Sequence, residues 1–298
     1  MIKVLLDTDI GNDIDDSACL AYLLRQNQCE LLGVTTVTGQ PVERAKLASA
    51  ICVAAGRDDV PIYPGTETPL LTPQKQAVPH QAAKLHRWPH KTGFPACGAV
   101  EFLRGIIREN PGEITLLGIG PLTNVALLFA LDAEIPALLK KLVVMCGVFE
   151  YKYKGGVCLT EWNARCDPYA TAIVYNTPNI EIVSVGLDVT QKVTLEKDEI
   201  IKCFTSEVMR VVLDFSGVSD NTRDSITFHD PLAAAVIFDE SICLFKRGGV
   251  SVEVSGSRLG ERLEGLTYFT PDENGKNEVA FDVDGERFFN HYFSVVNG

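Results

Sequence analysis

VLLDTDIGNDIDD, residues Val4 to Asp16, is the stretch whose reading decides the fold. An apolar run that begins at Ile2 ends abruptly in five aspartates, at positions 7, 9, 13, 15 and 16, with Gly11 among them. The apolar part reads as a buried strand over residues 2–7. DSACLAYLLRQ, residues 16–26, has the spacing of an amphipathic helix. A strand that turns through a polar loop directly into a helix is the opening half of a βαβ unit. Like charges packed this closely repel, so folding the turn costs free energy unless something cancels the charge. A hard divalent cation such as Ca²⁺ or Mg²⁺ cancels it best, because every side-chain ligand on offer is an oxygen.

The pattern set by the first unit continues along the chain. Strands are expected at 30–37, 113–118, 141–146 and 180–185. Helices are expected at 42–55, 98–109, 122–131 and 167–176, and residues 249–270 alternate in the manner of β-structure. Residues 61–95 break the pattern: Pro and Gly crowd there with three histidines and Trp88, and no period emerges. A long irregular excursion of that kind is often functional. Strand–helix alternation predicts an α/β fold with a mostly parallel central sheet flanked by helices. No internal repeat or linker divides the chain, so a single domain over residues 1–298 is expected.

Composition narrows the partners. A net charge of -12 argues against nucleic acid, which needs a basic face. No apolar run is long enough to span a bilayer, and MIKVLLDTD lacks the apolar core of a secretory signal. Nine cysteines without a C-x-x-C pair suit small core residues in a reducing cytoplasm.

Several readings compete for the acidic turn. An EF-hand loop fails, because position twelve is Ala18 or Leu20 in the two possible registers and the bidentate Glu is missing. A phosphatase of the haloacid-dehalogenase type would use Asp7 as its nucleophile. A metal site would activate water instead. The plain structural alternative is a helix cap at Asp13, Asp15 or Asp16, but five acids exceed what a cap needs. In open parallel sheets ligands bind beyond the carboxyl ends of the strands, and Asp7 and Asp9 lie at such an end. TTVTGQ (Thr35–Gln40), GIGPLTN (Gly118–Asn124) and the loop reaching EWN (Glu161–Asn163) lie at others. GIGPLTN is too short a glycine signature for a dinucleotide, with Thr123 where the third glycine belongs, and reads better as a tight turn into a helix. Glu161 and Asn163 face the same way if the tripeptide is extended, and a carboxylate beside an amide suits hydroxyl recognition. In FHDP (Phe228–Pro231), Asp230 is placed as a helix cap that could also ligate a metal. No G-x-S-x-G, H-E-x-x-H or P-loop is present.

Taken together, DTDIGNDIDD, VTTVTG, NPGEITLLGIGPLTNVAL, VVMCG, EWN and FHDPLA resemble the nucleoside hydrolases of the inosine–uridine-preferring type in order and spacing. The resemblance runs from Val4 past Asp239. It implies hydrolysis of the N-glycosidic bond of a ribonucleoside to free base and ribose, in a homo-oligomer, with one Ca²⁺ per pocket. By the same resemblance, Asp9, Asp16 and Asp230 match the carboxylate ligands and Thr123 the residue offering a backbone carbonyl. Asp9 also matches the general base, Asp15 and Asn163 the residues that hold the 2′- and 3′-hydroxyls, and Glu161 a carboxylate on the 5′ side. His229 matches a histidine that assists the leaving base, and Trp162 or Trp88 could stack on that base. The sequence departs from the family pattern in four places: Asp13 is an extra acid, Gln40 stands where an asparagine is common, no asparagine lies between Met145 and Glu161, and the middle residue of E-x-N is Trp162, more typical of purine-stacking members. Two alternatives remain open from the residues alone: the Mg²⁺-dependent phosphatase with Asp7 as nucleophile, and a non-catalytic nucleoside or ribose sensor.

Overall fold

A computed structural model describes residues 1–96, 98–150, 153–154, 157–158, 160–217, 224–258, 261–262 and 264–298. Nine of its strands form one sheet: β1 (Ile2–Thr8), β2 (Cys29–Thr36), β3 (Ile62–Pro64), β4 (Ile114–Gly118), β5 (Lys141–Val144), β6 (Ile182–Ser184), β7 (Cys243–Glu253), β8 (Leu266–Pro271) and β9 (Asn277–Val283). Their order across the sheet is β8-β7-β9-β6-β5-β4-β1-β2-β3. Every pair from β9 to β3 is parallel; only β7 runs antiparallel to its neighbours β8 and β9. The fold is therefore α/β with a mostly parallel central sheet, and strands from both ends of the chain share it.

β1 sits in the interior of the sheet because its side chains are apolar on both faces. Val4 and Leu6 enter one core and Leu5 the other, all fully buried. A strand covered on both faces reads as a continuous apolar run rather than an alternating one. The flanking helices include α1 (Asp15–Arg25), α2 (Pro41–Ala54), α3 (Ala99–Glu109), α4 (Thr123–Leu131), α5 (Trp162–Cys166), α6 (Pro168–Asn176), α7 (Glu207–Ser216), α8 (His229–Ala235) and α9 (Gly285–Val296). α1 and α2 contribute to the first core, α3, α4 and α6 to the second.

Strand register places the site. Asp7 pairs with Thr35 on one side and Gly118 on the other, Gly118 pairs with Val144, and Val144 with Ser184. Four parallel strands thus end level with β1, and the loops after them open on one edge. The excursion at 61–95 is more ordered than its composition suggests: it contains β3 and a 3₁₀ turn over His80–Arg87. The expected β-structure at 249–270 is part of an antiparallel hairpin, β7 with β8, at the sheet edge; residues 259, 260 and 263 lie outside the described residues. No helix among the described residues is long and apolar enough to cross a membrane.

Candidate active site

A cavity of about 680 Å³ opens at the carboxyl ends of these strands. Asp9, Asp15, Asp16, Glu161, Trp162, Asn163, His229 and Asp230 line it, so the structure brings together eight of the ten expected site residues. Asp15 and Asp16 occupy the first turn of α1, and Asp230 the first turn of α8. Neither helix carries a side-chain cap bond: the residues preceding them are Ile14 and Phe228. Asp230 is therefore not the cap of its helix, and that expectation is corrected; its backbone N–H donates instead to Asp15 Oδ2 at 3.4 Å. Two helix N-termini instead direct their positive ends toward the same carboxylates, which favours anions there.

Ligand atoms of Asp15, Asp16 and Asp230 lie within 4.8 Å of one another, and all three residues are buried. Burial pushes their carboxyls well above the usual range, and neighbouring carboxylates push in the same direction. Asp9 lines the same cavity but is not in that 4.8 Å set. Burial also raises Asp9, against the opposing pull of the Arg44 cation and the Gln76 amide. A buried all-oxygen cluster that resists ionisation fits a hard divalent cation, which repays the desolvation that protons otherwise relieve.

Glu161 is at the N-terminus of α5, not in an extended tripeptide. Its Oε1 accepts from the Asn163 amide N–H at 2.7 Å, and its Oε2 from those of Ala164 at 2.9 Å and Gly147 at 3.2 Å. Burial still raises its carboxyl to about 7. The Asn163 side chain donates to the carbonyls of Ile119 (2.9 Å) and Met145 (3.1 Å), which orients its own oxygen away from them. His229 Nδ1 lies 2.7 Å from the Thr190 hydroxyl, and burial holds the imidazole below its ordinary value while Asp13 opposes that shift.

Two expected residues are placed elsewhere. Gln40 has a left-handed backbone (φ 56°) and lines a different cavity beside α2. Thr123 donates its hydroxyl to Asp167 Oδ2 at 2.8 Å and is not among the residues lining the acidic cavity. Trp88 also lies apart from it; its indole N–H bonds Asp214. Asp7, the nucleophile of the phosphatase reading, is fully buried, accepts from Thr35 Oγ1 (2.5 Å) and Asn124 Nδ2 (2.7 Å), and does not line the cavity.

Two residues that the sequence did not reveal complete the site. Arg44, fully buried on α2, donates to the carbonyls of Asp9, Ile10, Gly39 and Gln76 and to Asn12 Oδ1. Gln76, from the irregular excursion, donates to Asp9 Oδ2 at 2.8 Å and to Asn12 Oδ1 at 2.9 Å. The excursion reaches the acidic turn because Gly11, at φ 131°, leaves room for Pro79: a Cβ there would lie 2.5 Å from the Pro79 Cβ. Gly120 explains GIGPLTN in the same way, since a Cβ would lie 2.9 Å from the Asp9 nitrogen and 3.0 Å from its Oδ1. That glycine admits Asp9 rather than a pyrophosphate.

The sequence profile described as inosine-uridine preferring nucleoside hydrolase matches residues 4–290. The chain belongs to this nucleoside hydrolase family. It is 29% identical to Uridine nucleosidase 1 of Arabidopsis thaliana, over 95% of this chain and 90% of that protein. It is 30% identical to the non-specific ribonucleoside hydrolase RihC of Salmonella typhi, over 96% of this chain and 95% of that one. Among solved structures, a purine-preferring ribonucleoside hydrolase from Gardnerella vaginalis has a TM-score of 0.82 at 24% identity, over 99% of this chain and 98% of that one. A plant nucleoside hydrolase scores 0.81 at 23% identity with the same coverage. As a member of the family, the chain is an enzyme that hydrolyses N-glycosidic bonds.

Proposed function

We propose that this nucleoside hydrolase is Ca²⁺-dependent and releases free base and ribose from ribonucleosides. The observation that carries the reading is the buried cluster of Asp15, Asp16 and Asp230 beside Asp9, in the cavity that also holds the Asn163 amide. Asp16 and Asp230, with Asp15 in the same oxygen cluster and Asp9 beside it, would hold the ion. When bound there, a hard divalent cation neutralises the carboxylates, acts as a Lewis acid toward water and orients the sugar diol.

The chain's own residues do the rest. Asp15 and Asn163 offer oxygens to the 2′- and 3′-hydroxyls and fix the ribose. Asp9 takes a proton from the attacking water as its oxygen bonds C1′ and the C1′–N bond breaks. Positive charge spreads over C1′ and the ring oxygen in the transition state, and the packed carboxylates stabilise it. The electron pair of the broken bond leaves with the base, which must gain a proton; His229, lining the cavity, supports that role. Trp162 is 46% exposed at the cavity and offers a flat face to the base. The phosphatase alternative is not supported, since Asp7 has no access to the cavity.

The test is a panel of inosine, adenosine, guanosine, uridine and cytidine assayed for reducing sugar before and after exhaustive chelation, with Ca²⁺ restored. Ribose release that stops with chelator and returns with Ca²⁺ is expected. Release indifferent to chelation sinks the ion requirement, and tight ribose-dependent binding without turnover sinks the catalytic assignment.

A further inference from the structure

We propose that Gln76 is a positioning residue for Asp9, and that its amide is held in the working orientation by the indole N–H of Trp162. This rests on the reading of Asp9 as general base. The indole nitrogen is a donor only, and it lies 2.6 Å from Gln76 Oε1. The oxygen end of the amide must therefore face Trp162, and its NH₂ must face the opposite way. There it meets two acceptors, Asp9 Oδ2 at 2.8 Å and Asn12 Oδ1 at 2.9 Å.

Asn12 is oriented just as strictly. Its Nδ2 donates to the Val78 carbonyl at 2.8 Å, so its oxygen is the atom that receives Gln76 and the Arg44 guanidinium. The backbone of Gln76 is pinned at both ends: its N–H donates to Gln74 Oε1 at 2.8 Å, and its carbonyl accepts from Arg44 at 3.1 Å. Each group in this chain has only one hydrogen-bonding orientation available. The consequence falls on Asp9. Its carboxylate is held with Oδ2 against the amide and Oδ1 on the Gly120 side, so the plane of the general base is fixed. Positioning of this kind acts on the chemical step, where misplacement by an ångström costs about 100-fold.

Trp162 gives the arrangement a second use. The ring is half-exposed at the cavity, whereas Gln76 is 8% exposed beneath it. A base that stacks on the indole sits one side chain away from the group that orients Asp9, so occupancy of the base subsite and alignment of the general base share one hydrogen bond.

The test compares Gln76→Met, Gln76→Glu, Trp162→Phe and the double variant Gln76→Met/Trp162→Phe on the best nucleoside of the panel. Gln76→Met keeps the chain length and removes both donors; about a 10- to 100-fold loss of kcat is expected with KM within about threefold. Gln76→Glu keeps the acceptor for Trp162 but cannot donate to Asp9, and should lose at least as much kcat, which carries the test if the Met variant folds poorly. Trp162→Phe keeps the ring and frees the amide to flip, giving a smaller kcat loss. The double variant should be no slower than Gln76→Met alone, because both changes act through one bond. A readout independent of turnover is the emission of Trp162 in a Trp88→Phe background, which leaves it the sole tryptophan; Gln76→Met should shift that emission. Gln76→Met and Gln76→Glu with wild-type kcat, or single losses that multiply in the double variant, overturn the positioning role while the hydrolase reading stands. A wild-type enzyme that releases no ribose from any nucleoside takes down both.

Discussion

Replacing Asp16 by asparagine should stabilise the ion-free protein and abolish its response to Ca²⁺. The structure supplies the magnitude. Asp15, Asp16 and Asp230 present oxygens no more than 4.8 Å apart. At that distance, and an effective dielectric of about 20, each pair of full charges repels by about 3.5 kcal/mol. Three pairs amount to roughly 10 kcal/mol, as large as the whole stability of many domains. Without an ion the cluster therefore holds protons, in keeping with the direction in which burial and mutual repulsion push all three carboxyls. The Asp16→Asn change would remove two of the three repulsions for good, and the new amide retains an oxygen for the Thr8 hydroxyl that Asp16 accepts at 2.5 Å. Because protonation has already relieved part of the strain, the gain is smaller than the Coulomb figure. About 1–3 kcal/mol is expected, or roughly 2–5 °C in Tm for a chain of this size. The wild type at an ion concentration 100 times its Kd should gain about 2.7 kcal/mol, and the variant almost nothing. Scanning calorimetry in EDTA and in CaCl₂ reads both numbers. If chelated Asp16→Asn melts below the chelated wild type and still rises with Ca²⁺, the cluster is not an ion site under electrostatic load, and the reasoning fails.

Asp9→Asn removes the proton acceptor and should cut turnover by at least ~100-fold; a near-normal rate excludes Asp9 from the mechanism. His229→Ala should slow natural nucleosides more than p-nitrophenyl riboside, whose leaving group needs no proton, and equal losses on both reject the acid role. The ion-free protein should lose stability as pH rises from 6.5 to 8.5. Burial lifts Asp7 from 3.8 and Glu161 from 4.5 to about 7, so the folded form binds these protons more tightly than the unfolded chain and their contribution disappears above pH 7. His229, shifted down, contributes fully once pH exceeds its unfolded value of 6.5 and so does not mask the trend. Melting in EDTA across that window should fall, and the Ca²⁺-induced rise should grow as ligand protons are displaced; a flat or rising ion-free curve contradicts the assignment of these acids as buried and proton-holding.

The parts of the site legible in the sequence are those whose side chains are fixed by local structure. β1 is apolar on every residue from Val4 to Leu6 because both its faces are covered, and the acids follow at its end because that is where a parallel strand meets solvent. Asp15, Asp16 and Asp230 are equally legible, since each sits in the first turn of a helix whose apolar body announces itself. What was not legible depends on contacts between distant segments. Gln76 belongs to a stretch without period; it reaches Asp9, 67 positions away, only because Pro79 packs on Gly11 and the Gln81 amide N–H bonds the Gly11 carbonyl at 2.9 Å. Gln40 misled for the opposite reason. Its amide has the right chemistry for a sugar contact, but a left-handed backbone at the mouth of α2 carries it into another cavity. Glu161 and Asn163 would share a face if the tripeptide were extended, whereas the carboxylate turns back to satisfy the N–H groups at the start of its own helix.

Arg44 shows why a cluster of this kind tolerates a buried cation without being quenched by it. A guanidinium beside Asp9 could form a bidentate ion pair and occupy the oxygens that a metal or a water proton needs. Its bonds go elsewhere: four carbonyls and the Asn12 amide oxygen receive them, and no carboxylate oxygen among the described residues does. The charge still acts through space, drawing Asp9 and Asp16 toward ionisation against the larger effect of burial. The same five bonds tie the acidic turn, the end of β2 and the Gln76 loop into one rigid body. Field without ligation is what a site requires if its carboxylates are to stay available, and it accounts for an arginine, rather than a shorter or more mobile base, buried beneath them.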